Sequence, residues 1–481
     1  MHNYILTGMQ FGDEGKGSFV DWLTDVEEVD CIVRYNGGCH ASHTVINPEG
    51  VLHKYSQLGS GMFRNSCHTY LTENMVVDLA ALKREVEIFS KETNAEMVDI
   101  MKRVHIHENC YVVTPYHRLM NMIREFLLGK DRRSSGSVGV SEVKRIIFET
   151  SGTIGIQIKE IFSLDALSII KEKFKLLQQH VFEFYKKNYL VIWNNVPEEM
   201  EPTLRKWIVW LNGEYALDYE AKSYIEKFGR EADFNLYSMG CIYSSKLEHV
   251  RAYDKTIYEG GRGLLIDYVY GTKPDTSCLN TTIEFAIKYI EPHDITSKIG
   301  VAKAICSRHG AGAFPTEVKR MSEEINDDDQ EVTYLNGRIR FGWFDAVLFR
   351  YAQSINKVNE IYLSSLDLLN YYKKIKICNS YIYNGEIDES FKKTFSYYID
   401  EKGRIIITDI NGPNNELGKY LEKCIPKYIV IDGWNSYISN VTKKEDLPKQ
   451  CLFYIKMIEF TTSVKISVVS VGPTRENKIR M

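Results

Sequence analysis

At 481 residues, 44% of them hydrophobic and 26% charged, the chain can bury a large core and is too apolar to stay disordered. Sixty Lys and Arg against 64 Asp and Glu leave a net charge of −4, which excludes a protein whose business is coating nucleic acid or an anionic membrane. Ten scattered cysteines without a CxxC pair exclude a disulfide framework and a structural zinc site; with no secretory signal over Met1–Gly8 and no apolar run of membrane-spanning length, the expected compartment is the cytoplasm.

In chain order, Tyr4–Gly8 is a short apolar run ending in glycine, the start expected of a buried strand that enters a phosphate loop. Asp30–Tyr35, followed by Gly37 and Gly38, is the next strand. The spacing of Val77, Leu79, Leu82, Val86 and Phe89 predicts a helix over Val76–Ser90, and Arg118–Leu128 is a second. From about 163 to 243 the chain becomes charged and aromatic with a helical period, which predicts an inserted helical layer. Strands are expected again at Lys255–Glu259, Lys298–Cys306, Glu360–Leu366, Ile375–Cys378, Arg404–Ile407, Tyr428–Ile431 and Lys465–Val471, with a solvated loop tip at Asn326–Asp329. Strand alternating with helix is the rhythm of an α/β fold around a mainly parallel sheet. Such sheets place ligands at the carboxyl ends of their strands, so polar residues just after these runs are the first candidates.

The densest chemical signal follows the first strand: Gly8-Met9-Gln10-Phe11-Gly12-Asp13-Glu14-Gly15-Lys16-Gly17-Ser18. Its glycines let backbone N–H groups turn inward around an anion, and Lys16 adds a point charge for phosphate. The spacing is not that of an ordinary P-loop, which needs glycine at Gln10 and Ser or Thr at Gly17. A plain glycine turn would have no use for Asp13, Glu14 and Lys16 together.

This loop resembles that of the adenylosuccinate synthetase family, and so do further blocks in the same order. They are Val33–Gly38 with His43-Thr44-Val45; Glu259–Gly263 with Asp267, Gly271-Thr272, Pro274 and Asn280-Thr281-Thr282; Gly310–Glu317; Gly337–Asp345; Leu366-Asp367; Gly433-Trp434; and Ser470–Pro473. The resemblance implies one α/β domain over residues 1–481, a mostly parallel central sheet, and a homodimer. It implies a ligase that joins L-aspartate to carbon 6 of inosine monophosphate (IMP) with GTP and Mg2+. The partners are then small molecules, with no nucleic acid and no membrane.

Chemistry gives the same residues roles. A 6-oxo group leaves poorly, so an amine displaces it only after its oxygen is phosphorylated, and the first step is phosphoryl transfer. By resemblance, Asp13 takes the proton from purine N1 and enters the magnesium shell, joined there by the Ser42 carbonyl, while His43 is the acid facing the transferring oxygen. Lys16 neutralises charge on the γ-phosphate. Gly12, Glu14, Gly15, Gly17, Ser18, Ser42, His43 and Thr44 are expected around the triphosphate, with Arg340. Asp367 reads its guanine, and Ser470, Val471 and Gly472 close over that base. Arg338 and Arg340 grip the aspartate carboxylates bidentately, with Asn336 beside them. Asp13, His40, Ser135, Arg145, Arg262, Ser277 and Arg338 are expected at the purine nucleotide, Arg145 reaching the partner subunit's site.

The departures cluster at ligands. The family's asparagine against the purine nucleotide is here His40, and the glutamine near the 6-oxo group is Arg262, a side chain with donors only. Ser134-Ser135 stand for two threonines, Ser137 for an arginine, Leu335-Asn336 for the threonines of the aspartate loop, and Ser365 for a lysine over the guanine. Three readings follow: the ordinary IMP reaction; the same chemistry on GMP or dGMP, or with ATP as donor; and an idle nucleotide-binding homologue. Retention of Asp13, Lys16 and His43 speaks against the last.

Overall fold

A computed structural model describes residues 1–129, 132, 136–213, 216–236, 239–244, 248–291, 294–325 and 338–481. The expected loop tip at 326–329, and Ser134, Ser135, Leu335 and Asn336, lie outside the described residues.

The strand His2–Gly8 is buried from Asn3 onward because it lies mid-sheet, paired in parallel with Lys255–Gly263 on one side and Ile295–Lys303 on the other. Outward from Lys255–Gly263 come Cys31–Arg34, His68–Leu71, Val104–His107 and Ile242–Tyr243; outward from Ile295–Lys303 come Glu360–Ser364, Lys465–Ser470 and Lys478–Arg480, which makes ten strands. All pairs are parallel except the last, Lys465–Ser470 with Lys478–Arg480. This is the mixed α/β architecture with a large, mostly parallel sheet that the sequence led us to expect.

One expected strand divides in two. Lys298–Cys306, one apolar run in sequence, changes sheet at Ala304: Ile295–Lys303 belongs to the parallel sheet, and Ile305–His309 opens a second one. The amide of Ala304 donates to the Ser364 carbonyl at 2.8 Å and ends the first pairing. Apart from half-buried Lys303 the chain is buried on both sides of the break, so hydrophobicity alone does not reveal it. The runs near 375, 404 and 428 join that second, six-stranded sheet, where every pair but Ile339–Asp345 with Lys374–Tyr383 is antiparallel.

Helix boundaries follow caps. Val76–Val77 is a short strand, and the helix begins at Leu79 because the Asp78 carboxylate accepts from the Ala81 amide at 2.9 Å. Between 163 and 243 lie the helices Ala166–Asn195, Glu201–Leu211 and Ala216–Phe228. The longest buries Ile170, Phe174, Leu177, Val181, Tyr185 and Ile192, one stripe at steps of three, four and seven, in a core shared with the helix Pro115–Leu128. Among the described residues no helix is long and apolar enough to cross a membrane. All ten cysteines are free.

Candidate active site

The carboxyl ends of the parallel strands converge on one cleft. Gly8, Arg34, Gly263, Lys303, Ser364 and Ser470 each close a strand there, and each leads into a segment singled out in the sequence.

The phosphate loop is organised from within by Glu14. Its buried carboxylate accepts from the amides of Gln10 (3.1 Å) and Gly12 (2.9 Å) and holds Lys16 Nζ at 2.5 Å. Gly8 must be glycine, because a Cβ there would stand 2.5 Å from Glu14 Oε2 and 2.6 Å from the Arg262 carbonyl. The Glu14 side chain is therefore engaged inside the loop, and only its backbone remains to meet a phosphate. Positive φ at Gly12, Asp13 and Gly15 turns the chain so that the helix Lys16–Val26 starts at the cleft, its free N–H groups suited to an anion. A Cβ on Gly17 would lie 2.6 Å from His43 Cβ, so glycine brings helix and histidine together. Ser18 Oγ donates to the Gly15 carbonyl (3.2 Å).

His43 opens the strand His43–Ile46, with exposed Ser42 before it and Thr44 after it. Its Nδ1 lies 2.5 Å from Glu259 Oε1, and the same carboxylate accepts from the Ser60 amide (3.1 Å) and Ser60 Oγ (2.5 Å). Burial works against the Glu259 charge, but Arg34 and His43 outweigh it and bring the pKa down to about 2. Glu259 thus stays ionised and fixes the His43 tautomer, with Nδ1 protonated and Nε2 left for a ligand. Burial lowers the His43 pKa, and Glu259 opposes that shift.

Asp13 sits on the loop with about half its side chain exposed, and its Oδ2 lies 2.8 Å from His309 Nε2. Burial favours its neutral form; the charge and hydrogen bond of His309, with Lys303 and Arg262 behind it, prevail and hold the carboxyl well below the usual range. Gln10 ties the loop to the next strand, donating to the Lys303 carbonyl (3.2 Å) and accepting from its amide (3.0 Å). Among the described residues no three His, Cys, Asp or Glu side chains gather into a metal cage. The half-exposed Asp13 carboxylate and the neighbouring backbone still form a hard oxygen donor set, which suits a magnesium ion completed by substrate phosphates.

Next to the loop, where Ser364 Oγ donates to the Glu14 carbonyl at 2.8 Å, Ser365 adopts a left-handed backbone (φ 63°), after which Asp367 enters a short turn. Burial raises the Asp367 pKa. The loop after Ser470 is locked by Lys478, whose buried ammonium donates to the carbonyls of Gly472 (3.3 Å), Pro473 (3.0 Å) and Thr474 (2.8 Å), while the Val471 amide donates to Asn477 O (3.0 Å). Arg340 donates to Glu317 Oε2 and to the Gly312 carbonyl, both at 2.8 Å. Arg338 is exposed at the edge of the described residues, and Asn336 and Ser135 fall outside them. Arg145 lies 3.7 Å from Glu142 of its own helix.

His40 and Arg262 meet: Arg262 Nε donates to His40 Nε2 at 3.1 Å, and both line a narrow cleft with Asn121, Ser141, Ser277 and Cys278. Residues with site contacts that received no role in the sequence are Arg34, Ser60, Glu259, Lys303, His309 and Lys478. Glu259 and the Gly310 block were visible as motifs, but only the fold reveals what their side chains or neighbours touch.

The adenylosuccinate synthetase family model matches residues 5–479. Adenylosuccinate synthetases of Desulforamulus reducens and Desulfitobacterium hafniense are 28% and 30% identical over 486 aligned residues, covering 100% of this chain and 98% and 99% of theirs. A fully ligated adenylosuccinate synthetase from Plasmodium falciparum shares the fold, with a TM-score of 0.76 at 20% identity and 99% of each chain covered. A cyanophage S-2L succinoaminodeoxyadenylate synthetase, bound to dGMP and to dATP as an energy donor, is more distant, with a TM-score of 0.54 at 13% identity, covering 100% of this chain and 95% of that one. With its loop, its cleft and a family match along nearly its whole length, the chain belongs to the adenylosuccinate synthetase family, ligases that form a carbon–nitrogen bond.

Proposed function

We propose that the protein joins L-aspartate to carbon 6 of IMP through a 6-phosphoryl intermediate, with GTP as donor and magnesium bound to its phosphates, in cytoplasmic purine nucleotide synthesis. The observation that carries this reading is the pair of oriented groups on the cleft: the Asp13 carboxylate held by His309, and the His43 imidazole held by Glu259.

In this mechanism Asp13 is ionised at neutral pH and receives the N1 proton as purine O6 attacks the γ-phosphorus; GDP leaves. Asp13 and the Ser42 carbonyl would hold a magnesium ion, which when bound would neutralise charge along the phosphates. His43 Nε2 faces the bridging oxygen and, when protonated, donates to it. The amine of aspartate then attacks carbon 6 and phosphate departs. Lys16 and the amides at the start of Lys16–Val26 hold the triphosphate, Gly12, Gly15, Gly17, Ser18 and Thr44 shape that subsite, and Asp367 with Ser470–Gly472 receives its base. Arg338 and Arg340 with Asn336 take the aspartate carboxylates; Ser135, Ser277 and the partner's Arg145 take the purine nucleotide in a homodimer.

A second reading keeps every step and changes the nucleotide to GMP or dGMP; it is favoured by the Arg262–His40 contact, which remakes the base pocket. The test is an assay of phosphate release and purine absorbance with magnesium, aspartate, GTP or ATP, and IMP, GMP or dGMP in turn. Turnover with IMP and GTP supports the first reading. Turnover only with a 2-aminopurine nucleotide replaces it with the second, and ATP in place of GTP corrects the donor. No turnover from any pair, with triphosphate still bound, assigns an idle homologue.

A further inference from the structure

The segment from Ser470 to Lys478 is a loop closed at its foot by antiparallel pairing, with Ser470 opposite Lys478. Its tip docks on the helix Lys16–Val26: Arg475 donates to both carboxylate oxygens of Asp21, at 2.7 and 2.8 Å, and to Asp25 at 2.7 Å. Inside the loop the carbonyls of Gly472, Pro473 and Thr474 turn toward one point, and the buried Lys478 ammonium occupies it. The Phe19 ring centroid lies 5.8 Å from the same nitrogen. Carbonyl dipoles that converge repel one another unless a cation sits among them, as in a ring of carbonyls around a bound ion. An ammonium has three hydrogens for the three carbonyls, whereas a neutral amine would turn its lone pair on one of them. Burial pulls the Lys478 pKa down, and Asp21, Asp367 and Glu476 oppose that shift. The lysine acts in turn on Asp367, whose pKa burial raises while its own backbone amide, Lys478 and Lys303 hold it back. Ser365, beside that aspartate in the chain, brings no charge; its hydroxyl donates to Ser364 Oγ at 3.3 Å.

We propose that Lys478 is a resident cation of the donor subsite, a positioning residue whose charge shapes the loop Ser470–Asn477 and keeps Asp367 ionised, and which thereby sets the preference for a triphosphate whose base offers two adjacent hydrogen-bond donors. It does for this loop what a bound potassium ion does for converging carbonyls, with the ion tethered to the chain. An ionised carboxylate only accepts. Guanine matches it, because N1–H and the 2-amino group stand side by side, whereas adenine sets an acceptor nitrogen next to its amino group. Without the lysine charge the three carbonyls spread apart and the buried Asp367 takes up a proton more readily. Both changes weaken the hold on guanine. Neither reaches Asp13, Lys16 or His43, which have partners of their own.

The inference rests on the reading of GTP as donor, and calorimetry on the full chain separates the two. GTP, ATP and IMP are titrated into the wild type, Lys478→Met and Lys478→Gln, and steady-state rates are measured at varied GTP. Methionine fills the space of the lysine without its charge, and glutamine keeps two donors without it. Lys478→Met is expected to weaken GTP by roughly 10- to 100-fold, the size of hydrogen bonds that involve a charged group, and ATP by less than about threefold. The KM for GTP should rise in step, while IMP affinity and kcat at saturating GTP stay within about threefold of the wild type, as expected when binding of one substrate alone is lost. Lys478→Gln should fall between, and it carries the test if Lys478→Met does not fold. A lysine that only filled space would lower stability and leave the ratio of GTP to ATP affinity where it was. A folded variant with the wild-type ratio, or one in which IMP weakens as much as GTP, overturns the inference. A wild type that binds GTP no better than ATP overturns the reading of the donor, and the inference with it.

Discussion

At the scale of single residues, the cleft is built from ionisable groups, each held by another. Asp13 depends on His309, His43 on Glu259, and Lys16 on Glu14. Asp13→Ala is expected to lower kcat by at least about 10²–10⁴ while nucleotide affinity changes less than roughly tenfold, because a general base contributes to rate and little to binding; steady-state kinetics with a binding titration checks both. Glu259 gives a pH prediction. Its folded pKa of about 2 lies below its ordinary value of 4.5, so between those values the unfolded chain binds more protons than the folded one. The stability it contributes is complete above the ordinary value and disappears as pH falls through the folded one. Glu259→Gln should destabilise the protein at neutral pH by roughly 3–5 kcal/mol and flatten the acid side of the stability curve, as read by denaturant unfolding at a series of pH values. The identities of Asp13, Lys16 and His43 stood out in the sequence because they lie in motifs. Their partners Glu259 and His309 lie 216 and 296 residues away in the chain, and no local pattern joins residues so distant.

At the scale of elements, caps and glycines decide where helices and strands stop. Asp345 ends the strand Ile339–Asp345 and caps the helix Ala346–Asn356, accepting from the amides of Val347 and Leu348 at 3.1 Å and from Tyr381 Oη at 2.7 Å. Asp345→Ala removes the cap and leaves a buried hydroxyl unpaired, so a loss of about 2–4 kcal/mol is expected in urea unfolding. The apolar periods of Leu79–Thr93 and Pro115–Leu128 were legible because each helix buries one stripe. The change of sheet at Ala304 was not, because both strands are buried and a run of buried residues looks the same whichever sheet receives it.

At the scale of the whole molecule, the cleft gathers strand ends drawn from residues 8 to 470, so ligands bridge distant parts of the chain. Saturating nucleotides at a hundred times their Kd should stabilise the fold by about 2.7 kcal/mol each, seen as a rise in Tm. The proposed dimer has a sharper test: Asp13→Ala and Arg145→Ala proteins, each inactive or weak, should regain activity when mixed and allowed to exchange subunits, since one mixed site then holds both residues. Failure to complement would keep Arg145 within its own subunit, beside Glu142. The sequence by itself determined the chemistry on offer, an anion loop with a carboxylate, a lysine and an imidazole in a fixed order, because those groups lie within short motifs whose local backbone they shape. Only the tertiary structure decided which charges sustain them and that Arg262 answers to His40, because pairing across parallel strands depends on which strands become neighbours, a property that no short stretch of chain possesses.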